Sequence, residues 1–185
     1  MSTEGKPVKP AKPVSASQAE MLQLVLPSDA NTLGNALGGV VMHHMDICAA
    51  IAAQRHAGRA CVTASVDRID FERPVRVGEL LVLLASVNYA GTTSMEVGVR
   101  CLAENPSTGE RRHTASAYFT FVSLGDDLRP APVPRLRPES PDEVRRHEEA
   151  RQRRESRLGR RRVRAPDRAT DAPPPSRTLA AGRNE

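Results

Sequence analysis

The sequence predicts an α+β domain in which one long central helix is wrapped by a five-stranded antiparallel sheet. Three observations carry this prediction. Residues 37–53 read LGGVVMHHMDICAAIAA, apolar on most helical faces, and such a helix must be buried on most sides. Five other segments have strand character, and the last three are joined by short turns that favour antiparallel pairing. One curved sheet around the helix covers only part of it, so a second copy of the chain is expected to cover the rest.

The elements follow in chain order. Residues 21–26 form a short apolar strand stopped by Pro27. Residues 28–35, SDANTLGN, are dense in turn formers, and Asn35 is placed to cap the helix that follows. That helix runs to about His56 and ends at Gly58. Residues 61–71 are β-branched and partly alternating, with Val62, Ala64 and Val66 expected on one face. A turn at 72–78 leads into a strong strand at 80–89. Ala90-Gly91-Thr92 forms a hairpin turn, residues 95–102 alternate again, and residues 105–109, NPSTG, close a second hairpin. Residues 111–124 form the last strand, with Ala115, Ala117, Phe119 and Phe121 on one face.

Composition divides the chain into parts. Residues 1–17 are rich in Pro, Lys, Ser and Ala and are expected to be a disordered tail; residues 18–128 are the expected domain. Residues 129–158 read as a Pro-rich linker and a charged helix capped by Ser140 with Pro141 first, and 159–185 as a basic disordered tail. The net charge of +5 is unevenly spread. Residues 1–128 hold 11 Lys/Arg against 13 Asp/Glu, whereas 129–185 hold 16 against 9. The basic character therefore belongs to the tail. With no Trp and only 3% aromatic residues, base-stacking surfaces and nucleic-acid binding are not expected.

Three widely spaced cysteines in apolar segments form no zinc pattern and suit a reducing cytoplasm. No secretory leader is legible, and no apolar run is long enough to span a bilayer. HExxH, GxSxG, P-loop and GxGxxG patterns are absent.

Asp46 stands out, because a carboxylate in so apolar a helix must be solvated by a pocket, paired, or kept for chemistry. His43 lies one turn away at i, i+3 and is within reach of it.

Residues 27–39, PSDANTLGNALGG, followed by Met45-Asp46, resemble the active-site segment of hotdog-fold acyl-CoA thioesterases. Residues 62–71 resemble that family's second strand and residues 115–124 its last. The likeness is strongest to brain-type cytosolic acyl-CoA hydrolases and their single-domain bacterial relatives. It implies the hotdog fold, acyl-CoA as substrate, and homodimers with active sites at the interface, assembled into hexamers as trimers of dimers. It also implies that Asn31 comes from the partner subunit.

Thioester hydrolysis needs an activated water and a stabilised oxyanion. Asp46 is the candidate general base, or alternatively a nucleophile forming an anhydride. Asn31 is the candidate to orient the water or Asp46. Gly38 and Gly39 open the helix, where unpaired N–H groups suit an oxyanion. Asn35 joins them as a substrate-binding candidate. The CoA phosphates call for arginines, with Arg68 and Arg73 foremost among Arg59, Arg68, Arg73, Arg76, Arg100, Arg111 and Arg112. Thr93 and Ser94, after a Gly-containing turn, are placed to contact pantetheine or a phosphate. No metal or organic cofactor is expected, coenzyme A being part of the substrate. The alternatives are a non-catalytic acyl-CoA-sensing module and a hotdog acyl-ACP thioesterase or dehydratase, the last requiring His43.

Overall fold

The computed structural model describes residues 10–163. The expected tail segments 1–9 and 164–185 lie outside the described residues. The chain divides into two compact units, Met1–Ala150 and Arg151–Glu185.

The first unit holds a long helix against one face of a five-stranded antiparallel sheet. The strands are β2 (Ala19–Leu24), β3 (Cys61–Phe71), β4 (Leu80–Ala90), β5 (Ser94–Glu104) and β6 (Arg111–Ser123), in the order β2-β4-β5-β6-β3. Helix α1 (Gly38–Ala57) supplies the connection from β2 to β3, which therefore occupy opposite edges. A parallel two-residue pair, β1 (Lys12–Pro13) with β7 (Leu136–Arg137), lies outside the main sheet.

Alternation decides which side chains meet the helix. Leu81, Leu83, Ala85 and Val87 of β4, Val97, Val99 and Cys101 of β5, and Ala115, Ala117, Phe119 and Phe121 of β6 join the core. From α1 the buried residues are Val41, Met45, Cys48, Ala49, Ala52, Ala53, His56 and Ala57, a single stripe at helical spacing. Most are small, which lets the helix lie close to the sheet. The sheet covers only part of the helix, as the sequence led one to expect of a single copy. One stripe is buried, while Met42, Ile47 and Ile51 on the other side are exposed. The helix ends where Gly58 takes φ +67° and its N–H returns to the Gln54 carbonyl at 2.7 Å.

The ordered unit is larger than residues 18–128. Residues 10–17, expected to belong to a disordered tail, are tied down. Ser17 Oγ donates to the Val14 carbonyl at 2.7 Å and accepts from the Val87 N–H at 3.0 Å, fully buried. Lys12 Nζ donates to the carbonyls of Arg55 and His56, capping the C-terminal end of α1. On the other side, Ala131 and Val133 are buried, and Pro134 offers its carbonyl to the buried His56 ring at 2.9 Å. Helix α2 (Pro141–Val163) starts with the expected Ser140 cap. Ser140 Oγ accepts from the Glu143 N–H at 3.3 Å, and Glu143 Oε2 accepts from the Ser140 N–H at 3.2 Å. In the second unit α2 carries an Arg151–Glu155 pair one turn apart.

β3 is an edge strand with two register shifts, between Thr63 and Ser65 and between Val66 and Ile69. These break the alternation expected for Val62, Ala64 and Val66. Val62 pairs with outward-facing Val122, while Val66 pairs with inward-facing Phe119. Val66 and Phe71 nonetheless remain 42% and 52% exposed in the single chain.

Candidate active site

Asp46 sits half-buried on the less covered side of α1, not enclosed by apolar groups as its sequence neighbours suggested. Its Oδ1 accepts a 2.7 Å hydrogen bond from Thr63 Oγ1 on β3. Thr63 is in register with inward-facing Phe121, which turns its hydroxyl toward the helix. A charge-assisted bond of this length fixes one carboxylate oxygen and leaves the other for a water or substrate. Thr63 was not among the residues the sequence singled out. A threonine in a strand is explained by β-propensity alone, and only the fold shows that it faces a carboxylate.

The start of α1 is open. Leu37 is the cap residue, without a side-chain cap, and Val41 N–H makes the first return bond, to the Leu37 carbonyl. The N–H groups of Gly38, Gly39 and Val40 have no acceptor among the described residues, as expected at a helix N-terminus. A Cβ at Gly39 would meet nothing within 4 Å, and one at Gly38 would only touch the Phe71 ring at 3.6 Å. Both glycines are exposed, so the positive end of the helix dipole faces solvent.

Asn31 and Asn35 organise the preceding loop. Asn31 Oδ1 accepts from the N–H groups of Leu33 at 2.9 Å and Asn35 at 3.2 Å, and Asn31 N–H donates to the Asn35 carbonyl at 2.8 Å. The loop thus holds the Asn31 oxygen, and its side-chain NH2 is the group left to donate outward. The expected capping of α1 by Asn35 is corrected. Its backbone closes the Asn31 turn and bridges to Arg76, so the helix begins two residues later without it. Within one chain no hydrogen bond joins Asn31 to Asp46.

The remaining candidates are dispersed. Arg68 pairs with Asp70 at 2.7 Å on the exposed surface. Arg111 pairs with Glu104 and Arg112 with Glu79, the latter through two bonds of 2.8 and 2.6 Å. Arg112 holds the Glu79 carboxyl below its ordinary range, and its further bond to the Pro74 carbonyl ties the 72–79 turn to β6. These two arginines are therefore structural. Arg73 makes no salt bridge among the described residues and stays open to an anion, whereas Arg76 lies beside Glu79, whose Oε2 accepts its N–H at 2.7 Å and whose carboxyl it helps hold down. Thr93 and Ser94 lie at the β4–β5 hairpin, where their carbonyls accept from Ser123 and Gly91. His43 is exposed and stands 5.4 Å from the His44 ring without bonding Asp46. Burial lowers the pKa of His44.

The sequence profile of the thioesterase superfamily matches residues 33–110. An uncharacterized acyl-CoA thioester hydrolase of Bacillus subtilis, YkhA, is 41% identical over 138 residues, covering 75% of this chain and 80% of that protein. The cytosolic acyl coenzyme A thioester hydrolase of Rattus norvegicus is 41% identical over 74% of this chain, a match spanning 36% of its own length. Among solved structures, the Staphylococcus aureus acyl-CoA hydrolase in complex with butyryl coenzyme A and coenzyme A superposes with a TM-score of 0.79. It is 38% identical, over 85% of this chain and 96% of that one. An apo-hexameric acyl-CoA thioesterase gives 0.79 at 41% identity, over 82% and 97%. The Staphylococcus enzyme has also been solved with alanine replacing an asparagine, an aspartate and a threonine. Those residues are spaced 15 and 17 positions apart, as Asn31, Asp46 and Thr63 are here. The chain belongs to the acyl-CoA thioester hydrolases of the thioesterase superfamily and has their hotdog fold.

Proposed function

We propose that this chain hydrolyses fatty acyl-CoA to free fatty acid and CoA, with Asp46 as general base at a site built by two copies of the chain. The observation that carries this reading is the Asp46 carboxylate on the open side of α1, held by Thr63 at 2.7 Å. A carboxylate so placed accepts a proton from water as that water attacks the thioester carbonyl. The tetrahedral intermediate then expels CoA thiolate, a good leaving group that needs little acid assistance.

The oxyanion donors are the N–H groups at the start of α1, at Gly38 and Gly39. Asp46 lies seven residues beyond Gly39, about 10 Å along a helix rising 1.5 Å per residue. An attacking water and the carbonyl oxygen of one thioester are only about 3 Å apart. The reading follows the resemblance, which takes Asn31 from the partner, and draws the helix start from that same copy. The reading pairs Asp46 and Thr63 of one copy with Asn31 and the helix start of the other. In that arrangement the outward NH2 of Asn31 orients the attacking water or the carbonyl.

A second copy is supported by what one copy leaves uncovered. Met42, Ile47 and Ile51 of α1, with Val66 and Phe71 on the helix-facing side of β3, flank Asp46 and Thr63 and are each at least 37% exposed. Edge strand β3 also offers its free ladder groups for pairing with its counterpart. A homodimer, assembled further as in the hexameric relative, covers these groups. Arg68, Arg73, Thr93 and Ser94 are proposed to contact the CoA moiety, in a cytoplasmic enzyme using no metal or organic cofactor.

The test is thiol release on a series of acyl-CoAs, with oligomeric state checked for each variant. Asp46→Asn is expected to lower kcat by about 10²–10⁴-fold, the usual loss on removing a general base. Mixing Asp46→Asn with Asn31→Ala chains is expected to restore part of the activity through hybrid sites. Full activity in Asp46→Asn, or failure of the mixed dimers to gain any, overturns the reading.

A further inference from the structure

The outward face of the sheet carries a second group of reactive side chains, away from Asp46. His113 Nε2 lies 2.9 Å from Ser116 Oγ, and His113 Nδ1 lies 3.2 Å from Glu72 Oε2. With Nδ1–H donated to the carboxylate, Nε2 is left to accept the serine proton. This is the relation between nucleophile, base and orienting acid that acyl-transfer enzymes use on unrelated folds.

The backbone explains how a strand places these residues together. In a regular strand, positions 113 and 116 point to opposite faces. The β5–β6 register shifts between Cys101 and Leu102, so Thr114 is an extra residue and His113 and Ser116 come to share the outer face. Thr114 is buried, and its hydroxyl donates to the Cys101 carbonyl at 3.0 Å. Its own carbonyl accepts the Glu72 N–H at 2.8 Å, which fixes Glu72 beside the bulge. Bulges commonly re-aim a side chain in this way at functional sites.

A place for an electrophile adjoins the serine. Ser116 lines an open groove of about 870 Å³ together with Ser86, Gly98, Arg100, Tyr118 and Arg146. Arg100 is in direct register with Ser116 on β5, so their Cβ atoms are about 5 Å apart. On the other flank Asp70 is in register with Ser116, and its charge is taken by Arg68. The groove thus meets a ligand with four arginines, Arg55, Arg100, Arg145 and Arg146, against one carboxylate, Glu20, and with small or hydroxyl-bearing residues beside Ser116.

We propose that Ser116, His113 and Glu72 form a second acyl-transfer centre, which hydrolyses small esters bearing a carboxylate or phosphate group. Ser116 Oγ bonds to the ester carbonyl carbon while its proton passes to His113 Nε2. Arg100 balances the charge on the carbonyl oxygen. The carbon–oxygen bond to the alcohol breaks, and the alcohol leaves with the proton from His113. Water, deprotonated by His113, then releases the acid and restores Ser116. The net reaction is ester plus water to acid plus alcohol.

The test uses the full chain carrying Asp46→Asn, so that the first site is silent, and a fluorophosphonate as serine-directed probe. Intact mass and peptide mapping are expected to show one adduct per chain, on Ser116, and none in Ser116→Ala. Labelling of His113→Gln is expected to be at least about 100-fold slower, as for loss of a general base, with Glu72→Gln in between. In the otherwise unaltered chain, Ser116→Ala is expected to keep acyl-CoA hydrolysis and to lose turnover of a 4-nitrophenyl ester with a terminal carboxylate. The absence of an adduct on Ser116, or labelling that His113→Gln leaves unchanged, overturns the proposal.

Discussion

Replacing Thr63 with valine removes one hydroxyl and keeps the shape of the side chain. The lost interaction is the 2.7 Å bond to Asp46 Oδ1. Hydrogen bonds to charged groups contribute about 1.5–3 kcal/mol. Thr63 is exposed and Asp46 half-buried in the single chain, so water replaces part of that bond and the lower end applies. A loss of about 1.4 kcal/mol corresponds to tenfold in rate. The carboxylate no longer held on one oxygen samples orientations in which it cannot reach the attacking water. The loss therefore falls on kcat, with KM little changed. Thiol release from one acyl-CoA at saturating concentration reads this directly, and thermal unfolding confirms that the variant is folded. Thr63→Ser keeps the hydroxyl and is expected within about twofold of the parent. A Thr63→Val enzyme with unchanged kcat refutes the positioning role. So does a Thr63→Ser enzyme as slow as Thr63→Val, since the methyl group would then be the part that matters.

Other expectations rest on burial. Burial lowers the pKa of His56, so the folded chain keeps the ring neutral where the unfolded chain, near the ordinary 6.5, binds a proton. Stability is then full above about 6.5 and falls as the pH drops below it; unfolding midpoints across this range test the sign, and His56→Gln is expected to flatten the slope. Cys48 and Cys61 thiols are pushed up to about 11 by burial. Native protein at pH 7.5 is therefore expected to react with iodoacetamide about 100-fold more slowly than denatured chain, and rapid stoichiometric labelling of native Cys61 counters this. A Cβ at Gly98 would overlap the amide of Asn88, itself 4% exposed. Gly98→Ala is expected to cost about 1–3 kcal/mol in denaturant unfolding, and an unchanged midpoint would mean that Asn88 moves freely.

Much of the fold is legible because local signals coincide with tertiary ones. The strand expected at 61–71 is Cys61–Phe71, and the helix expected to end at Gly58 does so, because β-branched runs and a left-handed glycine act over a few residues. Residues 10–17 were misread for the opposite reason. Their Pro, Ala and Ser content resembles a tail, and what orders them lies far along the chain. Ser17 meets Val87 seventy residues away, and Lys12 reaches carbonyls at the end of α1. Asn35 failed as a cap for a related reason, since its backbone is already engaged by Asn31 and Arg76.

The site divides along the same line. Asp46 draws notice in the sequence because its charge conflicts with its neighbours, and Gly38 and Gly39 because they begin a helix. Both are anomalies within one segment. Thr63 conflicts with nothing in its strand, nor do His113 and Ser116 in theirs; Thr63 gains its meaning from Asp46 on α1 and His113 from Glu72 after β3, while Ser116 meets His113 on its own strand. For His113 and Ser116 even the sequence spacing misleads. Positions three apart in a strand point to opposite faces until a bulge, set here by the buried Thr114, reverses one of them. A periodicity of two carries no trace of that extra residue. The polar network on the outer sheet face therefore becomes visible only once the β5–β6 register is known. Moving the bulge should dissolve it and leave the Asp46–Thr63 bond, because Thr63 pairs with β6 at Phe121, seven residues beyond Thr114.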